Sequence, residues 1–113
     1  MESSVRPWGG YEVIYKTDGV QVKRIEVKPR SRCSLQRHLK RSEKWIVIRG
    51  AGVVTLGQKE MTVRKGSTID VPQGEVHRIH NTADEPLVFI EIQFGDYLGE
   101  DDIIRLADDF GRA

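Results

Sequence analysis

The sequence lacks the features that mark several large classes of protein. Its single cysteine, Cys33, excludes an intrachain disulfide and fits a reducing compartment. No apolar run is long enough to span a bilayer, and no apolar stretch of a secretory signal follows Met1. Lys and Arg number 18 and Asp and Glu 17, so there is no charge excess to attract nucleic acid. We therefore expect a cytoplasmic protein whose partners are neither membranes nor nucleic acids.

Glycine is frequent, with 11 residues, and it separates short runs rich in Val, Ile and Thr. This texture predicts an all-β protein, and 113 residues correspond to one domain. Near the C-terminus, the spacing of the apolar side chains in residues 100–107, with acidic residues before them, predicts a short helix. We expect a barrel over about 10–94 and a tail over 95–113 that closes its mouth. The predicted strands cover residues 11–15, 20–27, 34–38, 45–49, 52–56, 60–64, 67–71, 76–79 and 87–93.

Polar side chains interrupt two of the faces that should point into the core. Gln36 and His38 are two residues apart on a predicted strand and therefore share a face. Glu43 shares its face with Trp45 and Val47, which are apolar. A carboxylate on such a face is costly unless it is paired or bound to a metal ion. The pattern therefore indicates a polar site inside the barrel.

A second pattern places His77 just after a tight turn and on the same face as Ile79, whereas His80 lies on the opposite face. A single inward histidine is more often a hydrogen-bonded core residue than a ligand, but the two spaced patterns together favour a metal site. Two imidazoles, a carboxylate and an amide oxygen suit Zn²⁺, Mn²⁺, Fe²⁺, Co²⁺ or Ni²⁺ better than Ca²⁺. The sequence thus predicts one divalent metal ion, with the ligands Gln36, His38, Glu43 and His77.

These patterns resemble the two motifs of the cupin superfamily. In the first motif Gln36 stands where the first histidine usually is, and the leading glycine is absent. The second motif is matched at every defining position, namely Gly66, Pro72, Gly74, His77 and Asn81. The resemblance implies the cupin double-stranded β-helix, a jelly-roll barrel. Cupins are commonly dimers, so it also implies a homodimer.

Four further segments are similar to the type II mannose-6-phosphate isomerase domain, and with them the resemblance covers nearly the whole chain. That domain is usually the C-terminal part of a bifunctional enzyme that also makes GDP-mannose, and glutamine in place of the first cupin histidine is typical of it. The resemblance implies a metal-dependent interconversion of mannose 6-phosphate and fructose 6-phosphate. No Gly-rich basic segment precedes Arg6, so we expect no guanylyltransferase activity. The segments are 6–9, 34–38, 41–45 and 95–105.

The chain departs from this family at two accessory histidine positions, which are Lys40 and Lys44 here. The departure leaves two other interpretations open. One is a metal-binding cupin that acts on another sugar or sugar nucleotide, and the other is a non-catalytic sugar-binding or sensing module.

An isomerase of this type needs a base that reaches the proton on C2 of the sugar phosphate. Metal ligands are poor candidates because their lone pairs are committed. Arg41, which lies between two predicted ligands, and Lys23, which shares a strand face with Ile25 and Val27, are the candidate catalytic residues. The candidate substrate-binding residues are Lys40, Glu91, Gln93 and Tyr97.

Overall fold

Short runs of β-branched residues separated by turns build almost the whole molecule. The computed structural model describes residues 2–113. This range contains strands and no helix, so it has no helix that could span a membrane. The predicted all-β class is therefore confirmed. The eleven strands are β1 (Ser3–Arg6), β2 (Gly9–Thr17), β3 (Val20–Val27), β4 (Leu35–Arg37), β5 (Ser42–Arg49), β6 (Ala51–Leu56), β7 (Lys59–Arg64), β8 (Thr68–Val71), β9 (His77–His80), β10 (Leu87–Phe94) and β11 (Ile104–Ala107).

The strands form two antiparallel sheets. Sheet A has six strands in the order β1-β2-β3-β10-β5-β8, and sheet B has five in the order β11-β4-β9-β6-β7. Buried side chains from both sheets form one core, among them Phe89 and Val47 from sheet A and Val54 and Ile79 from sheet B. Most neighbours within a sheet, such as β3 with β10 and β4 with β11, are far apart in sequence, as expected for a jelly roll, whereas β1-β2-β3 and β6-β7 are consecutive.

The inner face of sheet A changes from apolar to polar along its strands. Each cross-strand row contains one residue from β3, one from β10 and one from β5, and all nine side chains are buried. Because alternate residues of a strand share a face, the three rows lie side by side. The rows are Ile25–Phe89–Val47, then Lys23–Glu91–Trp45, then Gln21–Gln93–Glu43. The polar end of this face is where the predicted ligand Glu43 lies.

The predicted C-terminal helix is wrong. Residues Ile104–Ala107 form β11, which pairs with β4 at the edge of sheet B. Ile104 and Leu106 are exposed while Arg105 lies between them on the cavity side, so the segment follows the period of a strand. A segment this short is a marginal helix, whereas the free edge of β4 supplies backbone hydrogen-bond partners.

The other sequence predictions for secondary structure hold within a few residues. All nine predicted strands are present, with ends displaced by at most three residues, and only β1 and β11 were not expected as strands. The hairpin of β6 and β7 turns at Gly57 and Gln58, and Gly57 has a φ of 61°, which glycine adopts at little cost.

Asn81 joins strands that are distant in the sequence. Its side chain is fully buried, and Nδ2 donates to the carbonyl oxygens of Val27 (3.0 Å), Lys28 (3.1 Å) and Glu85 (2.8 Å). Its Oδ1 accepts from the backbone N–H of Ala83 at 3.0 Å. One amide therefore fixes the end of β3 against the loop that leads into β10.

Replacing Asn81 by Leu should destabilise the protein by about 3 kcal/mol, because buried carbonyl groups lose their donors and the methyl groups of Leu cannot replace them. The free energy of unfolding in urea measures the effect. Thr82→Ala, at the exposed neighbouring position, is the control and should change it by less than about 0.5 kcal/mol. A similarly small change for Asn81→Leu would show that the amide does not hold the loop.

Candidate metal centre

Three of the four predicted ligands come together where the two sheets face each other. His38 follows β4 and His77 begins β9, both in sheet B, while Glu43 lies in β5 of sheet A. One potential ligand atom from each residue lies within 4.8 Å of the others, and all three side chains are buried. The imidazole centroids are 5.0 Å apart.

Backbone carbonyl groups fix the protonation of both imidazoles. Nδ1 of His38 lies 2.6 Å from the carbonyl oxygen of Asp102, and Nδ1 of His77 lies 2.9 Å from that of Glu75. A carbonyl oxygen only accepts, so each Nδ1 carries the hydrogen and each Nε2 presents a lone pair. Histidines that ligate metal ions are commonly held in this way.

Burial keeps both histidines neutral. Burial first, and then the nearby charge of Arg41, lower the pKa of His38 to about 4. Burial likewise lowers the pKa of His77. Neutral imidazole is the form that binds a metal ion, so the site is ready for one at neutral pH.

A guanidinium group lies among the ligand atoms. Arg41 Nε donates to Glu43 Oε2 at 2.7 Å, and Nη2 lies 3.2 Å from His38 Nε2. The other oxygen of Glu43 accepts from Trp45 Nε1 at 2.9 Å. Arg41 thus supplies the positive charge that a buried carboxylate requires, and a metal ion would have to displace Nη2 from His38. The donor set itself, two imidazole lone pairs and a carboxylate, fits a divalent ion such as Zn²⁺ or Mn²⁺.

The fourth predicted ligand, Gln36, is the cross-strand partner of His77. Its Nε2 donates to two oxygens of Ser34, the side-chain hydroxyl at 3.1 Å and the backbone carbonyl at 3.3 Å. With Nε2 held in this way, Oε1 is the atom that Gln36 could offer to an ion.

A cavity of about 110 Å³ opens beside this cluster. Six residues predicted for the site line it: Lys23, Gln36, His38, Arg41, His77 and Glu91. Gln93 lies behind them, fully buried, and its Nε2 donates to Glu91 at 2.7 Å. The structure thus places most of the predicted site around one space.

Two buried ionisable residues in the cavity wall, Lys23 and Glu91, have different surroundings. Lys23 Nζ lies 2.6 Å from Glu100 Oε2 and 4.0 Å from the centre of the Tyr11 ring. Glu91 faces Lys23 across the strand pair. Burial first, and then the neighbouring carboxylate of Glu43, raise the pKa of Glu91 to about 7. Glu91 can therefore exchange a proton near neutral pH.

The lysines at the accessory histidine positions do not line the cavity. Lys44 lies on the outer face of β5, where Nζ pairs with Asp70 at 2.9 Å. Lys40 is exposed and places Nζ 4.9 Å from the centre of the Tyr97 ring, which is itself exposed. The two predicted substrate-binding residues Lys40 and Tyr97 therefore contact each other outside the cavity wall.

The tail contributes residues that were not assigned to the site from the sequence. Besides the carbonyl that holds His38, Asp102 has a carboxylate that accepts from the backbone N–H groups of Leu39 and Lys40, each at 3.0 Å. Glu100 and Arg105 line the cavity, and Arg105 pairs with Gln36 across β11 and β4. The acidic run before β11 was the available signal, but it was interpreted as the start of a helix.

Comparison with known proteins gives one family model and a set of relatives. The model described as "Mannose-6-phosphate isomerase C-terminal" matches residues 1–108. The "Xanthan biosynthesis protein XanB" of Xanthomonas campestris pv. campestris is 46% identical over 107 residues, which are 95% of this chain and 23% of that protein. A "Mannose-1-phosphate guanylyltransferase" of Sinorhizobium fredii is 43% identical over 105 residues, 93% of this chain and 20% of that protein. The chain thus spans about a fifth of the length of the curated relatives it matches.

Solved structures with this architecture also match. The capsular polysaccharide assembling protein CapF of Staphylococcus aureus superposes with a TM-score of 0.82 at 26% identity, over 94% of this chain and 34% of that one. The Cnp3 cupin domain of Schizosaccharomyces pombe superposes with a TM-score of 0.73 at 15% identity, over 77% of this chain and 64% of that one. The second likeness concerns the fold alone.

The low pKa of His38 predicts how the stability of the metal-free protein depends on pH. An unfolded histidine has a pKa of about 6.5, so below that pH the unfolded chain takes up a proton that folded His38 binds only near pH 4. The free energy of unfolding therefore decreases as the pH falls through this range, and the contribution of His38 to this decrease is about 2 kcal/mol between pH 7 and pH 5. Glu91 titrates in the same range with the opposite sign, so the quantity to compare is the difference between the wild type and His38→Gln.

Urea unfolding of both proteins at pH 7, 6 and 5, after treatment with a chelator, measures this difference. The wild type should lose about 2 kcal/mol relative to His38→Gln across the series. Burial also lowers the pKa of His80, but His80 is half-buried and lies outside the cavity, so His80→Gln should depart from the wild type less than His38→Gln does. Parallel curves for the wild type and His38→Gln would mean that His38 is not held neutral by its burial.

Proposed function

Because this chain belongs to the mannose-6-phosphate isomerase C-terminal family, as its motifs predicted, we propose that it is a metal-dependent isomerase that interconverts mannose 6-phosphate and fructose 6-phosphate. One observation carries the proposal: His38, Glu43 and His77 converge with two imidazole lone pairs facing inward, beside a cavity lined by basic side chains. The relatives named for xanthan and alginate biosynthesis suggest that the product serves the synthesis of a polysaccharide. Guanylyl transfer, which gives other relatives their name, is no part of this proposal.

The ion would be held by His38, Glu43 and His77, with Oε1 of Gln36 as a fourth ligand. When bound, a divalent ion supplies a Lewis acid that stabilises the negative charge developing on the sugar oxygens during isomerisation. Zn²⁺, Mn²⁺, Fe²⁺, Co²⁺ and Ni²⁺ all suit these ligands.

The proton is moved by Glu91 in this proposal. Isomerisation transfers a proton between C1 and C2 of the sugar, so one group must accept it and return it. Lys23 is committed to Glu100, and Arg41 to Glu43 and His38, which favours binding of anionic groups over proton abstraction for both. Glu91 is a buried carboxylate in the cavity wall, oriented by Gln93. Trp45 and Phe89, which line the same cavity, exclude water from the transfer.

A second candidate is a metal-binding cupin that acts on another sugar or sugar nucleotide, including one that binds without turnover. The similarity to the capsular polysaccharide assembling protein favours it, because that likeness extends over 94% of this chain. The accessory lysines add little to this alternative, since neither Lys40 nor Lys44 lines the cavity. Both candidates share the metal site and differ in whether mannose 6-phosphate is turned over.

Replacing His77 by Ala should remove most of the bound metal, because it deletes one of the two imidazole ligands. Elemental analysis of protein loaded with Zn²⁺, Mn²⁺ or Co²⁺ and then separated from free metal measures the content. His80→Ala is the matched control, since His80 lies in the same strand but outside the cavity. Unchanged metal content in a folded His77→Ala protein would place the ion elsewhere.

Replacing Glu91 by Gln should lower kcat for mannose 6-phosphate by about 10²- to 10⁴-fold, the usual contribution of a general base, while metal content stays the same. A coupled assay that detects fructose 6-phosphate measures the rate with each metal. Lys44→Ala, on the outer face, should retain wild-type kcat. The isomerase proposal fails if the folded, metal-loaded wild type shows no turnover with any of these ions, and a thermal-shift screen of other sugars would then test the second candidate.

A further inference from the structure

Several positive side chains form part of the wall of the cavity. Arg6, Lys23, Arg41 and Arg105 all line it. Two of their nitrogens, Nη1 of Arg41 and Nε of Arg105, are buried without a hydrogen-bond partner among residues 2–113. Arg41 is 6% exposed, so an unpaired N–H group of this side chain is costly unless a ligand satisfies it.

Lys23 concentrates this charge further. It is 3% exposed, and its Nζ lies over the ring of Tyr11, which the guanidinium of Arg6 also approaches, at 5.4 Å from the ring centre. The carboxylate that pairs with Lys23 is that of Glu100, from the tail, 77 positions later in the sequence. Glu100 also acts on Arg41: burial works to lower the pKa of Arg41, but Glu43, Glu91 and Glu100 together hold it above its usual value.

We propose that Glu100 is the internal occupant of an anion subsite formed by Lys23, Arg41 and Arg105, and that the phosphate group of a sugar phosphate replaces it. The identity of the sugar rests on the proposed function, whereas the subsite itself concerns any phosphate monoester. A phosphate has more acceptor oxygens than a carboxylate, so it can satisfy Lys23 and also the free nitrogens of the two arginines.

The size of the cavity supports displacement. Its volume of about 110 Å³ is well below the ~300 Å³ at the small end of ligand pockets, so a hexose phosphate requires a group at the mouth to move. The Glu100 side chain is 44% exposed, and turning it outward leaves its carboxylate in water. Asp102 stays anchored to Leu39, Lys40 and His38, so the displacement can be confined to the residues before it.

Glu100→Gln separates this role from that of a structural ion pair. Removing the carboxylate removes the internal competitor, and we expect phosphate to bind about tenfold more tightly, the factor for a competent state populated at about one tenth. Isothermal titration of inorganic phosphate and of mannose 6-phosphate into metal-free protein measures both affinities. Asp101→Asn, the same charge change at the adjacent exposed position, should leave them unchanged. Lys23→Met should weaken both ligands in either background.

Three outcomes would overturn the subsite. Glu100→Gln binds phosphate no more tightly than the folded wild type, or Asp101→Asn tightens it equally, or unphosphorylated mannose gains as much as mannose 6-phosphate. The last result would mean that the substitution only opens the mouth. Because the titrations use metal-free protein and no turnover, tighter phosphate binding in Glu100→Gln supports the subsite even where the isomerase assay fails.

Discussion

The burial of Glu43 is the constraint on which the site depends. A carboxylate that is 2% exposed must be neutralised, since transfer of an isolated charge into the protein interior is far too costly. Trp45 and Arg41 satisfy its two oxygens, and Arg41 in turn reaches His38. Gly95 packs closely against the backbone of Lys40 and Arg41, where a side-chain carbon at residue 95 would overlap the carbonyl oxygen of Lys40. One buried charge thus fixes a loop, a strand end and an imidazole.

The same strand register that builds the core also builds the chemistry. On the inner face of sheet A, an apolar row containing Phe89 is followed by a row containing Glu91 and then by one containing Gln93 and Glu43. A slip of one residue would turn all of these side chains outward together. Burial of the apolar row stabilises the register, and the register holds the polar side chains in place. Stability and site geometry therefore share a single determinant, and the polar groups are tolerated because each is bonded to a neighbour.

The sequence was sufficient to predict those features that depend on residues close together in the chain. Alternation with period two predicted nearly every strand, and it placed His38, Glu43 and His77 on inward faces that the structure shows to be buried. The family and the jelly-roll fold, which the resemblance to the cupin and isomerase motifs implied, are confirmed. The tail was mispredicted because its spacing fits a helix as well as a strand, and the edge of β4 decides between them. The contacts of Glu100 and Asp102 link residues more than 60 positions apart, so no local pattern contains them.

The cavity carries counter-ions for its buried charges, and this lowers the cost of such a polar interior. The guanidinium of Arg41 lies among the atoms that would bind a metal cation, and the carboxylate of Glu100 pairs with Lys23, one of the cations proposed to bind an anion. A ligand gains only the difference between its own contacts and those it displaces, which weakens its apparent affinity. Selectivity improves in return. A molecule that lacks the charge of the displaced group leaves a buried charge unpaired, and that cost disfavours it more than any missing contact would.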